Sequence, residues 1–140
     1  MSARNETLVL ERDYAAPPER VFAAWTRVDL LGRWFGCADD KRWNVHEWDV
    51  RPGGRIHVSL DFDGRPFVVL GEFLVVDPPR RLRYRWSDDQ FVDVAIEPRG
   101  NGSRLRLEHT YPAGGAPRAA LDAGWTHSLG RLALVPPGGV

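Results

Sequence analysis

The chain has 140 residues, room for one domain, and a single cysteine, so an internal disulfide is excluded. Nineteen basic residues balance nineteen acidic ones, and that zero net charge argues against a general nucleic-acid or anionic-membrane binder. No apolar run reaches the ~20 residues that span a bilayer, and the first residues lack the apolar core of a signal peptide, so a cytoplasmic protein is expected.

Thr7 to Tyr14 alternates as a strand, with Leu8, Leu10, Arg12 and Tyr14 on one face. Pro17 and Pro18 open a helix that carries Glu19 in its first turn, and Val21, Phe22 and Trp25 form its apolar stripe. Asp29 is read as the cap of a second short helix ending near Trp34 and Phe35, and residues 36–42 as a polar loop. From Trp43 onward strand follows strand, with breaks at 51–54, 63–64, 77–80, 87–90 and 98–102. Asp63-Gly64 predicts a two-residue type I′ hairpin. Every connection is too short for a parallel crossover, so the strands must form an antiparallel meander. After Pro117 the period becomes helical, and Leu121, Trp125, Ser128, Leu129 and Leu132 share one face. A half-apolar sheet must cover its apolar face, and only this last helix is long enough to do so. A curved sheet and one helix about 10 Å wide cannot pack flush along their whole length, which predicts a cavity between them.

Register can be carried from turn to turn, because cross-strand partners share a face. Asp63-Gly64 pairs Leu60 with Phe67, Val58 with Val69 and Ile56 with Gly71. Across 77–80, Val75 meets Leu82, Phe73 meets Tyr84, and Gly71 meets Trp86, the glycine leaving room for the indole. The last hairpin pairs Ile96 with Leu105, Val94 with Leu107 and Val92 with His109. Going back through Arg51-Pro-Gly-Gly54, Ile56 pairs with Asp49 and Val58 with Glu47. The expected cavity, of at least roughly a few hundred Å³, is walled by Trp43, Ile56, Val58, Val69, Phe73, Tyr84, Trp86 and His109, with Trp125 and Leu129 from the helix. Its polar members are Glu47, Asp49 and Arg12. Each has a plainer reading: a bulge turning Glu47 to solvent, a rim salt bridge for Arg12, and for His109 a neutral core histidine bonded to a neighbour.

Motifs for zinc proteases, dithiol redox sites, phosphate loops and dinucleotide binding are absent, and neither metal nor cofactor is expected. His46, His57, His109 and His127 lack metal-ligand spacing, although His46 and His57 fall as diagonal neighbours on the outer face. Cys37 has no sequence-near histidine to activate it. Arg80, Arg81, Arg83 and Arg85 form a basic ridge read as a solvated outer face balanced by Asp88 and Asp89.

Across residues 8–132 the chain resembles START-like proteins of the SRPBCC superfamily, in the branch named after activators of the ninety-kilodalton heat-shock protein ATPase. The marks are Tyr14-Ala-Ala-Pro-Pro-Glu-Arg-Val-Phe22 with Ala24-Trp25-Thr26 and Trp34-Phe35; Asp49-Val-Arg-Pro-Gly-Gly54; Gly71-Glu-Phe73 with Asp77-Pro-Pro-Arg-Arg-Leu82 and Tyr84-Arg-Trp86; Ser103 to His109; and Gly124-Trp125 with Leu129 and Leu132. The resemblance implies an α+β helix-grip fold: a seven-stranded curved antiparallel sheet around a long C-terminal helix, with two short helices between the first two strands. It implies a ligand cavity in a stand-alone bacterial domain more firmly than any reaction.

Three functions compete. A carrier or sensor would hold a small apolar or aromatic molecule, with a homodimer left open. A polyketide cyclase or dehydratase would use His109 or Glu47 as general base and Tyr84 or Arg12 to stabilise an enolate. A stress-linked interaction module would expose an aromatic patch, for which Trp48 and His57 are the candidates.

Overall fold

The computed structural model describes residues 4–38, 41–62, 64–114 and 118–134. In chain order β1 (Asn5–Tyr14) leads into α1 (Pro18–Thr26) and α2 (Val28–Leu31), then β2 (Gly36–Ala38) and β3 (Lys41–Arg42). There follow β4 (Asn44–Trp48), β5 (Arg55–Phe62), β6 (Arg65–Asp77), β7 (Arg81–Ser87), β8 (Gln90–Arg99), β9 (Gly102–Pro112) and α3 (Arg118–Leu132). Seven strands form one curved antiparallel sheet in the order β1-β9-β8-β7-β6-β5-β4, and α3 lies across its concave face. This is the α+β helix-grip architecture expected. Of the signals used for it, Asp63 and Pro117 lie outside the described residues.

The hairpin registers β5–β6 and β8–β9 are those read from the turns, including Val58 opposite Val69 and Val92 opposite His109. Three bulges interrupt the remaining pairings, and the first two correct the register read from the sequence. Between β4 and β5 the register slips between Val45 and Glu47, so Val58 faces Val45, His57 faces Glu47 and Ile56 faces Trp48. A bulge inserts one residue and so inverts the alternation beyond it. A second slip between Phe73 and Val75 sets Val76, not Val75, opposite Leu82, while Phe73 still faces Tyr84. A third between Arg85 and Ser87 leaves Trp86 as the inserted residue.

Two further corrections concern the segment after β1. Asp29 is not a cap: Arg27 occupies that position and pairs with the Asp29 carboxylate at 3.0 Å. The stretch read as a polar loop contains the two-stranded β2–β3 sheet. Ser128 on α3 fixes it, donating its hydroxyl proton to the Gly36 carbonyl and accepting from the Gly36 N–H at 3.3 Å.

Packing at the end of α1 organises the interior. The last carbonyls of a helix have no partner inside it. Here the indole N–H of Trp34 donates to the Ala24 carbonyl at 2.9 Å, and that of Trp48 donates to the Trp25 carbonyl at 2.9 Å. One bond ties the turn after α2 to α1, and the other ties α1 to the sheet. At α3 the same need is met by Tyr14, whose hydroxyl donates to the Leu129 carbonyl at 2.9 Å.

Gly71 is required by backbone approach rather than by the Trp86 indole. A Cβ there would fall inside van der Waals contact of the Arg85 carbonyl. Gly71→Val should therefore lower stability by about 1–3 kcal/mol. Gly130, exposed on α3 with open space where a Cβ would go, should behave oppositely. Gly130→Ala is expected to add up to ~1 kcal/mol through helix propensity. Urea midpoints of the two variants test both assignments, and a neutral Gly71→Val would refute the close approach.

Candidate functional site

Beside the first three turns of α3 the concave face leaves a pocket of about 100 Å³. Trp43 and Trp86 wall it from the sheet side, Phe35 and Gly36 from the segment after α2, and Leu121 and Trp125 from the helix. Ala120 and Gly124, small residues on the same helix, leave the space open. Trp43 meets Trp86 edge to face with ring centroids 5.2 Å apart, and Phe35 meets Trp86 likewise at 5.9 Å. The polar side chains in the wall are His109 and Ser128, both buried.

His109 sits in a closed relay. An indole N–H can only donate, so the 2.9 Å contact from Trp125 Nε1 makes His109 Nδ1 an acceptor. The proton of the neutral ring is then on Nε2, which donates to Gln90 Oε1 at 2.8 Å. Burial, by depriving the charged ring of water, pushes the His109 pKa down to about 4. The relay holds Trp125 against β9, and the indole also stacks on Trp25 at 5.9 Å. Trp125 thus anchors α3 while one side of it remains part of the pocket wall.

Of the residues expected around the cavity, the structure brings together Trp43, Trp86, His109 and Trp125. Ile56, Val58, Val69, Phe73, Tyr84 and Leu129 lie on the anticipated side but are core, sealed away from the pocket. The cause is aromatic filling: Trp48 packs on Phe73 at 5.1 Å and on Tyr84 at 5.7 Å, and Trp25 and Trp34 meet edge to face at 4.7 Å. The hollow is correspondingly smaller than the few hundred Å³ anticipated. Burial drives the Tyr84 phenol's pKa upward, and its hydroxyl has no partner among the described residues.

Three polar candidates are corrected. Glu47 is exposed on the outer face opposite His57, because the β4 bulge turns it there and sends Trp48 inward. Asp49 pairs with Arg51 at 2.7 Å in the turn after β4. Arg12 shares the concave side with Leu10 but lies outside the pocket wall, its guanidinium donating to the Glu11 carbonyl at 2.7 Å. The wall residues not anticipated are Phe35, Gly36, Ala120, Leu121, Gly124 and Ser128. Leu121 and Ser128 lay on the predicted helix face, so their places were within reach of the periodicity.

The outer face carries little concentrated chemistry. Trp48, expected there, is buried. His46 and His57 do meet, with ring centroids 4.6 Å apart, and His46 Nε2 lies 2.7 Å from Ser59 Oγ. Among the described residues no group of three histidine, cysteine or acidic side chains is placed to hold a metal. A second hollow of about 460 Å³ includes Glu47, Arg55, His57, Glu72 and Arg85 in its lining, a polar set of mixed sign. The arginine ridge is neutralised mainly by Asp93, which binds Arg81 at 2.8 Å and Arg83 at 3.2 Å, rather than by Asp89. Burial of Asp93 works against its charged form, yet the two guanidiniums outweigh it and hold the carboxyl below its usual range. Arg85 reaches both Glu72 and Asp88 at 3.4 Å.

The fold agrees with comparisons to known proteins. Residues 15–135 match the model of the family described as Activator of Hsp90 ATPase homolog 1-like protein. The chain belongs to that family. A crystal structure of a Chromobacterium violaceum protein is 30% identical, with a TM-score of 0.84 over 94% of this chain and 97% of that one. A Rhizobium leguminosarum protein is 26% identical with a TM-score of 0.78, covering 96% and 95% of the two chains. An AHSA1-like protein from Aeromonas hydrophila, solved by NMR, is 25% identical with a TM-score of 0.77, covering 93% and 91%. No match is found among curated proteins.

The buried relay makes stability depend on pH. Unfolding returns His109 from about 4 to its ordinary value of 6.5. As pH falls through that interval the unfolded chain takes up a proton that the folded one does not, so stability is lost on acidification. The contribution is complete above about pH 6.5 and declines by roughly 3 kcal/mol towards pH 4. Urea unfolding of the wild type and of His109→Gln across pH 4–7 should show this slope in the wild type alone. Parallel curves would mean that His109 is not held neutral.

Proposed function

We propose that this AHSA1-like domain carries or senses one small, largely apolar molecule, held between the concave sheet and α3. The observation that supports this reading is the pocket itself, whose wall holds four aromatic side chains and, among the described residues, no charged one. Burying an apolar surface of this kind favours binding by roughly 25 cal/mol per Å² removed from water.

Catalysis of the cyclase or dehydratase type has less support. A general base needs a free lone pair within reach of substrate, and that of His109 is occupied by the Trp125 N–H. Glu47 points away, and Arg12 and Tyr84 are outside the wall. Of the two candidates for an interaction module, Trp48 is buried and His57 stays on the outer face opposite Glu47.

The test is direct titration of the folded protein with fatty acids, sterols and aromatic compounds, followed by tryptophan fluorescence, since three indoles wall the site. Saturable one-to-one binding by at least one class is expected. Gly124→Leu, which fills the pocket from the helix side, should weaken it at least tenfold while leaving the circular dichroism unchanged. No saturable binding by any member of the panel would remove the reading.

A further inference from the structure

We infer that the molecule this pocket selects is neutral and flat, built around a single aromatic ring whose substituents extend towards the mouth. The inference rests on the pocket being the binding site and specifies what that site admits.

Size comes first. A cavity of roughly 150 Å³ lined by apolar side chains takes up benzene. The space here is about 100 Å³ and open on one side, so a single ring fills it and reaches the mouth, and a sterol nucleus or a coiled acyl chain cannot enter whole.

Shape follows from the walls. The Trp43 and Trp86 planes lie 84° apart and those of Phe35 and Trp86 87° apart, whereas Phe35 and Trp43 are only 29° from parallel. The walls therefore include ring planes close to perpendicular. A flat aromatic guest can stack on one ring while meeting another edge to face, the two geometries that ring quadrupoles favour. A saturated ring of equal size gains the buried area without those contacts.

Charge is the third constraint. Among the described residues no Asp, Glu, Lys or Arg side chain contributes to the wall. His109 is committed at both nitrogens, and the Ser128 hydroxyl proton is committed to the Gly36 carbonyl. A carboxylate or ammonium group seated inside would lose its water without gaining a counter-charge, a severe cost.

The test uses four probes of graded chemistry: phenol, cyclohexanol, benzoate and decanoate, at pH 7.5. Binding is followed through the Trp125 indole N–H resonance of the ¹⁵N-labelled protein. Phenol should shift that resonance saturably, bind several-fold more tightly than cyclohexanol and at least tenfold more tightly than benzoate, and lose its effect in Gly124→Leu. Benzoate or decanoate binding as tightly as phenol, and blocked by Gly124→Leu, would overturn the ligand class while leaving the pocket in place. Phenol binding untouched by Gly124→Leu would locate the probe elsewhere and overturn the inference. Silence from all four probes, together with failure of the wider panel, would remove the pocket reading and this inference with it.

Discussion

Two indole N–H groups capping the end of α1 tie that helix both to the sheet and to the segment after α2. A nine-residue helix is too short to be stable alone, and its C-terminal carbonyls need partners when the helix is buried. Trp34 and Trp48 supply those partners from opposite directions, one from the segment that follows α2 and one from the sheet. Each also inserts a large apolar ring into the concavity, so hydrogen bonding and filling are accomplished by the same side chains.

The fold was legible in the sequence where turns are short and alternation is strict. The β5–β6 and β8–β9 hairpins each fix a register, and Val58 with Val69 or Val92 with His109 follow by counting in twos. Counting fails at a bulge, because one inserted residue reverses every later assignment and no residue type marks it. Glu47 and Trp48 exchanged faces for that reason alone. The pairing of Val75 with Leu82 failed by the same mechanism, one residue along.

The site was legible in part. Trp43, Trp86, His109 and Trp125 could be placed because strand register and helical period converge on them. Its extent could not, since how far a groove is filled depends on where loop aromatics dock. Phe35 was visible as an aromatic after a short helix, but nothing local predicts that it would pack near Trp43, Trp86 and Trp125. Ala120 and Gly124 matter through the atoms they lack, and a helical pattern read for its apolar members passes over such positions.

The bulge in β4 has a consequence beyond the placing of Glu47. β4 is one of the two outer strands of the sheet, so one side of its backbone is not covered by a neighbour. A regular outer strand offers evenly spaced donors and acceptors that a second molecule can extend, which is how sheets join into aggregates. Interrupting the spacing between Val45 and Glu47 breaks that template near its centre. An incoming strand would have to carry a matching irregularity to pair along it. The opposite edge, β1, is regular over ten residues but presents Glu11, Arg12 and Asp13 in succession. Local irregularity at one border and charge at the other thus discourage polymerisation of a sheet otherwise rich in β-branched and aromatic residues.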